Sequence, residues 1–378
     1  MHKPLFIGHE IFRGSSYGLK HPLRVPRVST VMDLSRAMGW LPRDQYITAP
    51  RAKPKVLEAW HDPAYIAALQ RIEAAQQTQP EDLARYGIGS VTNPVFPEIF
   101  RRPATAAGGS ILAGEILAQG GVIYNPAGGT HHGMPARANG FCYLNDPVLA
   151  MLSLRHHGVR RIAYVDIDAH HCDGVAAGFA GDPDCLMISV HEEGLWPRTG
   201  LIDDDGGGNA INLPVPRGLK DSEMAHIREA LILPKVVDFA PDAIVFLCGA
   251  DAVEDDPLAH LSLSNNAHWD ILRGLMALGV PRLLVLGGGG YNPWTVGRMW
   301  TGIWGILNGH TPDKGLPTVG EEVLRALNFH GNSRGRNPPE HWFTTLRDAP
   351  QEDAGTSQVV RQRVAMLARR TLPARSGR

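Results

Sequence analysis

The chain has 378 residues, 43% of them hydrophobic, enough for a sizeable core in one large or two ordinary domains. Its 37 lysines and arginines balance 38 acids for a net charge of −1, which leaves no electrostatic case for nucleic acid or an anionic membrane. No apolar run approaches a membrane span, the opening Met-His-Lys-Pro-Leu-Phe-Ile-Gly has no apolar signal core, and four cysteines without a CxxC pair (Cys142, Cys172, Cys185, Cys248) read as reduced, buried thiols, so the expected compartment is the cytoplasm.

In chain order, residues 4–8 form the first short apolar run. Residues 104–118 are Ala-rich with Ile111, Leu112, Ile116 and Leu117 on one stripe, a helical pattern. A second apolar run at 121–124 leads into Asn125-Pro-Ala-Gly-Gly-Thr-His131-His132-Gly133. Residues 147–156 fit a helix, and the run 161–166 leads into Asp166-Ile-Asp168-Ala-His170. After the run 185–190 comes a helical period over 221–239, then the run 243–248, closed by Gly-Ala-Asp251. The last run, 282–286, ends in Gly287-Gly-Gly-Gly-Tyr291.

These runs are short, rich in Val and Ile, and lack polar alternation, as strands buried on both faces do. Strands alternating with helices predict a parallel α/β sheet covered on both faces, with ligands outside the carboxyl ends of the strands. Four of the runs end in a polar, potentially catalytic group. No linker precedes about residue 310, so the reading is one domain over 1–310 and a C-terminal extension over 311–378 that packs on it, with a frayed basic tail at 368–378.

If Asp166, Asp168 and His170 occupied an extended strand, alternation would send all three to one face. Oxygen and imidazole ligands on one face suit a borderline divalent metal such as zinc. Each piece also has a plain structural reading. An isolated His–His pair is usually structural, as His156-His157 at a helix end suggests, and a lone Asp after a strand is usually a cap. The joint pattern is much harder to obtain by chance.

Taken together these segments resemble the zinc-dependent histone deacetylase family, and within it the bacterial acetoin-utilisation-type deacetylases (histone deacetylase-like amidohydrolases). The resemblance covers about residues 17–310 and rests on His21-Pro-Leu-Arg-Val-Pro-Arg27, His61-Asp-Pro-Ala-Tyr65, Asn93-Pro-Val-Phe96, Gly128–Gly133, Gly140-Phe-Cys-Tyr-Leu-Asn-Asp146, Asp166–Gly174, Gly249-Ala-Asp251 with Asp256-Pro-Leu258, and Gly287–Asn292. It implies the arginase/deacetylase fold, an eight-stranded parallel sheet flanked by helices on both faces. It implies zinc on Asp168, His170 and Asp251, with an open position for water and a substrate carbonyl. His131 and His132 would be the electrostatic and acid/base pair, backed by Asp166 and Asp173. Tyr291 would donate to the carbonyl oxygen as it becomes an oxyanion. Gly140, Phe141, Trp196 and Leu258 would line the substrate channel, with Thr92 at its rim. A potassium ion would sit at Asp166, Asp168, His170, Ser189 and Val190, mostly on backbone oxygens.

Three positions depart from the family pattern. Thr92 stands where members carry a rim acid that holds the substrate backbone. Trp196 replaces a channel Phe, with Arg198 beside it, and Cys172 replaces a Gly, where packing is the favoured role. The leading expectation is a lysine deacetylase acting on acetylated proteins. The alternative is a deacylase of a small acetylated amine or other non-peptide amide. Leu258 speaks against a long polyamine, since family polyamine deacetylases carry an acid there. An arginase-like two-manganese site would need a further acid where Val253 stands, and a non-enzymatic acyl-lysine binder should have lost one of the site residues, none of which is missing. Oligomeric state is left open.

Overall fold

Among the described residues there are eight strands: β1 (Leu5–Gly8), β2 (Tyr46–Thr48), β3 (Gly121–Asn125), β4 (Ile162–Asp166), β5 (Cys185–Glu192), β6 (Ala210–Val215), β7 (Ala243–Leu247) and β8 (Arg282–Leu286). They pair in parallel throughout, in the order β2-β1-β3-β8-β7-β4-β5-β6. The computed structural model describes residues 3–18, 20–329 and 337–372. Side chains along a strand alternate between two apolar layers: Ala163 and Val165 join one, Ile162 and Tyr164 the other. Burial on both faces is why these runs read as continuously apolar.

The strand order brings β3, β8, β7 and β4 side by side at the centre. Their last residues are in register, Asn125 beside Leu286, Leu286 beside Leu247, and Leu247 beside Asp166. The four chemistry-bearing loops therefore leave adjacent strands at one level. This is the arginase/deacetylase architecture that the motifs imply.

Three expectations from local pattern need correction. The six apolar runs account for six strands, and both edge strands, β2 and β6, escape them. β2 has only three residues, none of them buried, and β6 carries Pro214, a residue that an edge strand tolerates because one side of it needs no donor. The helix over 221–239 is interrupted by a π turn at Arg228–Ile232 between Asp221–Ile227 and Leu233–Phe239. Pro234 cannot donate to the preceding turn and crowds it, and the wider turn lets it enter as the start of a new segment. The run at β4 stops at Asp166, so Asp168 and His170 lie in the loop after the strand.

Beyond residue 310, Leu324, Trp342, Val360, Val364 and Leu367 belong to the same apolar layer as the sheet. Trp342 stacks on Trp294 at 5.7 Å between ring centroids. Ala368 closes the helix Gln358–Ala368, and of the expected basic tail residues 373–378 lie outside the described residues. All four cysteines are free and buried.

Candidate metal centre and active site

The loop after β4 is shaped by carboxylates that accept from its own backbone. Asp166 Oδ1 accepts from Asp168 N at 3.0 Å, and Asp168 Oδ1 accepts from His170 N at 3.0 Å. Asp251, in the short 3-10 turn Ala250–Ala252 after β7, accepts from Ala169 N at 3.0 Å through Oδ1. Asp168 Oδ2 accepts from Gly289 N in the turn after β8 at 2.7 Å. Strand alternation is thus not what gathers the donors. Two successive side-chain-to-backbone turns and two neighbouring loops do so.

The result is one compact donor set. Candidate ligand atoms of Asp168, His170 and Asp251 lie within 4.8 Å of one another, and all three residues are buried. His170 Nδ1 is 3.0 Å from both Asp168 Oδ1 and Asp251 Oδ2. Burial and the charge of Asp168 push the Asp251 carboxyl up to about 6, while His170 lowers it less strongly. Burial also disfavours the charged form of Asp168, but His131 and His170 outweigh it and hold that carboxyl well below its usual range. Two carboxylates and one imidazole crowded out of water form the donor set that a divalent cation relieves, and oxygen and nitrogen donors of this kind suit zinc. Neighbouring glycines leave no slack. A Cβ on Gly249 would stand 2.1 Å from Asp168 Oδ2, and one on Gly289 would stand 2.0 Å from Asp251 Oδ2.

The tandem histidines face this set from the loop after β3. His131 Nδ1 donates to Asp166 Oδ2 at 2.8 Å, and that oxygen also accepts from Tyr164 OH at 2.5 Å. His132 Nδ1 donates to Asp173 Oδ1 at 2.6 Å, and Asn139 Nδ2 donates to Asp173 Oδ2 at 2.9 Å. Each imidazole therefore keeps Nε2 for the site. The two rings are 4.0 Å apart yet diverge in charge. Burial works against the imidazolium of His131, but Asp166 and Asp168 override it and hold its pKa at about 9. Burial, joined by repulsion from His131, drives His132 down to about 3 despite Asp173.

Above these groups opens a cavity of about 410 Å³, lined among others by His132, His170, Phe141, Trp196, Leu258 and Tyr291. Phe141 takes a positive φ of 67° after Gly140 and meets the Tyr291 ring edge-on at 5.7 Å. Trp196 packs edge-on against His132 at 4.6 Å, and a Cβ on Gly140 would collide with its ring at 2.3 Å. Tyr291 is buried, and its N–H donates to Asp256 Oδ2 at 2.7 Å. Thr92 is exposed at the mouth. Ser189 pairs with Asp166 across β4 and β5, and its Oγ is 2.9 Å from His191 Nδ1; Val190 follows it in β5. Cys172 is buried in the apolar layer at the head of the helix Asp173–Phe179.

Some participants carry no role in the sequence reading. Asp256 braces Tyr291 and also accepts from Leu258 N at 2.9 Å. Asp146 accepts from the Gly129 and Thr130 N–H groups and so shapes the approach to the histidines. Arg27, which donates to Gly288 O at 2.7 Å, and Arg102 line a second, small cavity of about 50 Å³ behind His131 and Tyr291. Arg27, Asp146 and Asp256 stand inside the conspicuous motifs and could have been found there; Arg102 lies in a plain helix and could not.

Residues 21–307 match the family model described as histone deacetylase domain. The chain is 36% identical over 305 residues to histone deacetylase 9 of Arabidopsis thaliana, covering 78% of this chain and 71% of that protein. It is 31% identical over 330 residues to the acetoin utilization protein AcuC of Bacillus subtilis, covering 84% and 85%. It spans a smaller share, 61%, of Arabidopsis thaliana histone deacetylase 19. Among solved structures it is similar to a histone deacetylase homologue from Aquifex aeolicus, with a TM-score of 0.90 and 31% identity over 97% of this chain and all of that one. A histone deacetylase homologue solved in complex with SAHA gives a TM-score of 0.88.

Proposed function

The chain belongs to the histone deacetylase family, and from that premise we propose that it is a zinc-dependent deacetylase hydrolysing the acetamide of N-epsilon-acetyl-lysine in a protein or peptide to a free amine and acetate. The observation that carries this reading is the convergence of Asp168, His170 and Asp251 with the tandem histidines and Tyr291 at one end of an apolar-walled cavity. Asp168, His170 and Asp251 would hold the zinc, which when bound supplies Lewis-acid stabilisation of negative charge and makes water more acidic.

The remaining chemistry belongs to the side chains. His132, neutral and with Nδ1 engaged by Asp173, offers Nε2 to take a proton from the attacking water and to pass it to the departing amine. His131, held as an imidazolium by Asp166, stabilises the negative charge that develops on the acyl centre. Tyr291 donates its hydroxyl to the carbonyl oxygen as it becomes an oxyanion. Phe141, Trp196 and Leu258 pack the methylenes of the lysine stem and keep water out. The small cavity with Arg27 and Arg102 offers the product carboxylate two guanidinium partners.

The same reading assigns a potassium ion to Asp166, Asp168, His170, Ser189 and Val190, and the pairing of Asp166 with Ser189 across β4 and β5 supports it. It takes residues 1–310 as the catalytic domain and 311–378 as an extension on it. A cytoplasmic location agrees with four free thiols, and among the described residues no helix is long and apolar enough to cross a membrane. Thr92 motivates the second reading, a small acetylated amine or other non-peptide amide as substrate.

A panel of acyl-lysine peptides and acetylated amines, assayed for acetate release with zinc content measured on the same sample, tests both. Turnover of acetyl-lysine peptides with one zinc per chain is expected. Release from small amides alone would transfer the assignment to the second reading, and no release from any substrate by a zinc-loaded sample would end both.

A further inference from the structure

The cavity mouth has a charge that deacetylation of lysine does not by itself require. Among the described residues that line it there is no carboxylate, and apart from the site imidazoles its one charged side chain is Arg137. Arg137 is exposed, and among the described residues its guanidinium has no hydrogen-bond or ion-pair partner. Its position is nevertheless set by the backbone. Arg137 O accepts from Met134 N at 3.0 Å, and the next residue, Ala138, donates its N–H to Tyr86 O at 2.9 Å. Two residues on, Asn139 is tied to His132 O and to Asp173, so the arginine rides on the loop that orients the proton carrier.

Gly87 completes the setting. A Cβ there would lie 3.3 Å from Arg137 Nε and 3.4 Å from Cγ, so the side chain rests along the bare glycine. Gly87 O accepts from Ser90 Oγ at 3.2 Å, and Ser90 Oγ is 3.1 Å from Thr92 Oγ1. Arg137 and Ser90 thus both touch Gly87, Thr92 touches Ser90, and all of them line the same cavity. The guanidinium fork of Arg137 matches a carboxylate, and the neutral Thr92 on the same cavity lining sets no charge against it.

We propose that Arg137, on a cavity lining it shares with the neutral Thr92, forms an anion-recognising rim, and that the substrates of this chain carry a carboxylate on the amine side of the acetamide. This rests on the deacetylase reading and specifies its substrate class. The carboxylate is either the free α-carboxylate of an acetyl-lysine unit or an acidic side chain beside an acetylated lysine, and the assay separates the two.

The test compares kcat/KM for Nα-benzoyl-Nε-acetyl-lysine with that for its α-methylamide, and for amide-capped acetyl-lysine peptides with Glu or Gln at the following position. A charge-assisted contact at the rim corresponds to about a tenfold preference for the carboxylate in at least one pair. The pair that shows it identifies the source. Arg137→Gln should bring that preference down to about one, Arg137→Lys should keep part of it, and Arg137→Glu should invert it. Because the side chain is exposed and unpaired, these substitutions leave the folded core untouched. A wild-type preference near one in both pairs, or a preference that survives Arg137→Gln, overturns the rim proposal while leaving deacetylation standing. Failure to hydrolyse all four compounds overturns the deacetylase reading itself.

Discussion

Replacing Gly289 by alanine puts a methyl carbon 2.0 Å from Asp251 Oδ2 and 2.8 Å from Asp168 Oδ2, where ordinary contacts begin at 3.4 Å. Either the carboxylates or the turn after β8 must shift by roughly 1 Å, several times the tolerance of about 0.2 Å of a metal site. Moving the turn also strains the 2.7 Å bond from Gly289 N to Asp168 Oδ2 and the 2.8 Å bond from Ala250 N to Gly289 O. Loss of one supporting hydrogen bond alone typically weakens metal binding about 10- to 100-fold. Displacing two of the three donors in Gly289→Ala should therefore weaken zinc binding by at least about 100-fold. Overpacking of this kind costs about 1–3 kcal/mol, so the fold should survive with a lowered Tm. Competition with a chelator of known affinity, monitored beside thermal unfolding, measures both. Wild-type zinc affinity in Gly289→Ala would refute the assignment of Asp168 and Asp251 as ligands braced by this turn.

Four further outcomes are expected. His132→Ala should abolish turnover while retaining zinc, because His132 carries protons and is not a ligand; zinc loss, or survival of most of the activity, would contradict that role. Tyr291→Phe should lower kcat by about 10²–10³, the scale of one oxyanion donor, with little change in KM; an unchanged kcat would show that the phenol serves another purpose. Thr92→Asp should raise kcat/KM for an acetylated peptide by roughly ten- to hundredfold more than for an acetyl-lysine analogue without backbone amides, since a backbone N–H bonded to a charged acceptor is worth about 1.5–3 kcal/mol; equal gains would remove Thr92 from the rim. The last concerns acid stability. Burial lowers His61 from 6.5 to about 4, outweighing the Pro135 and Met134 carbonyls at Nδ1, which favour the imidazolium, and the neutral ring accepts from Asn145 N at 2.9 Å through Nε2. Below 6.5 the unfolded chain binds the proton and the folded one resists it. The stabilisation from the neutral ring is complete above 6.5 and lost progressively as the pH falls through about 4, amounting to about 3 kcal/mol. Urea unfolding at pH 7 and pH 4.5 should show a shallower pH slope in His61→Gln, and identical slopes would refute it.

Much of this molecule was legible because its signals are local. The central strands are apolar on both faces, so β3, β4, β7 and β8 stand out as short unbroken runs, and each is followed by residues whose chemistry is visible in their type: His131-His132, Asp168 with His170, Asp251, and Tyr291 after its glycines. The edge strands β2 and β6 lack that burial or are broken by Pro214, so no local pattern reports them.

What the linear order cannot contain is the distance between residues far apart in it. Asp251 meets Asp168 and His170 across more than 80 positions because parallel pairing sets β7 beside β4 in register, and backbone N–H groups then aim the carboxylates. The same holds for Arg102, brought to the small cavity by a helix with no motif, and for Arg137, whose lack of a side-chain partner among the described residues and whose seat along Gly87 exist only after folding. The different charge states of two adjacent imidazoles, one cationic and one neutral, make the point most sharply. Sequence makes His131 and His132 chemically identical, and the tertiary structure separates them, because one ring is held by nearby carboxylates strong enough to overcome burial and the other is not.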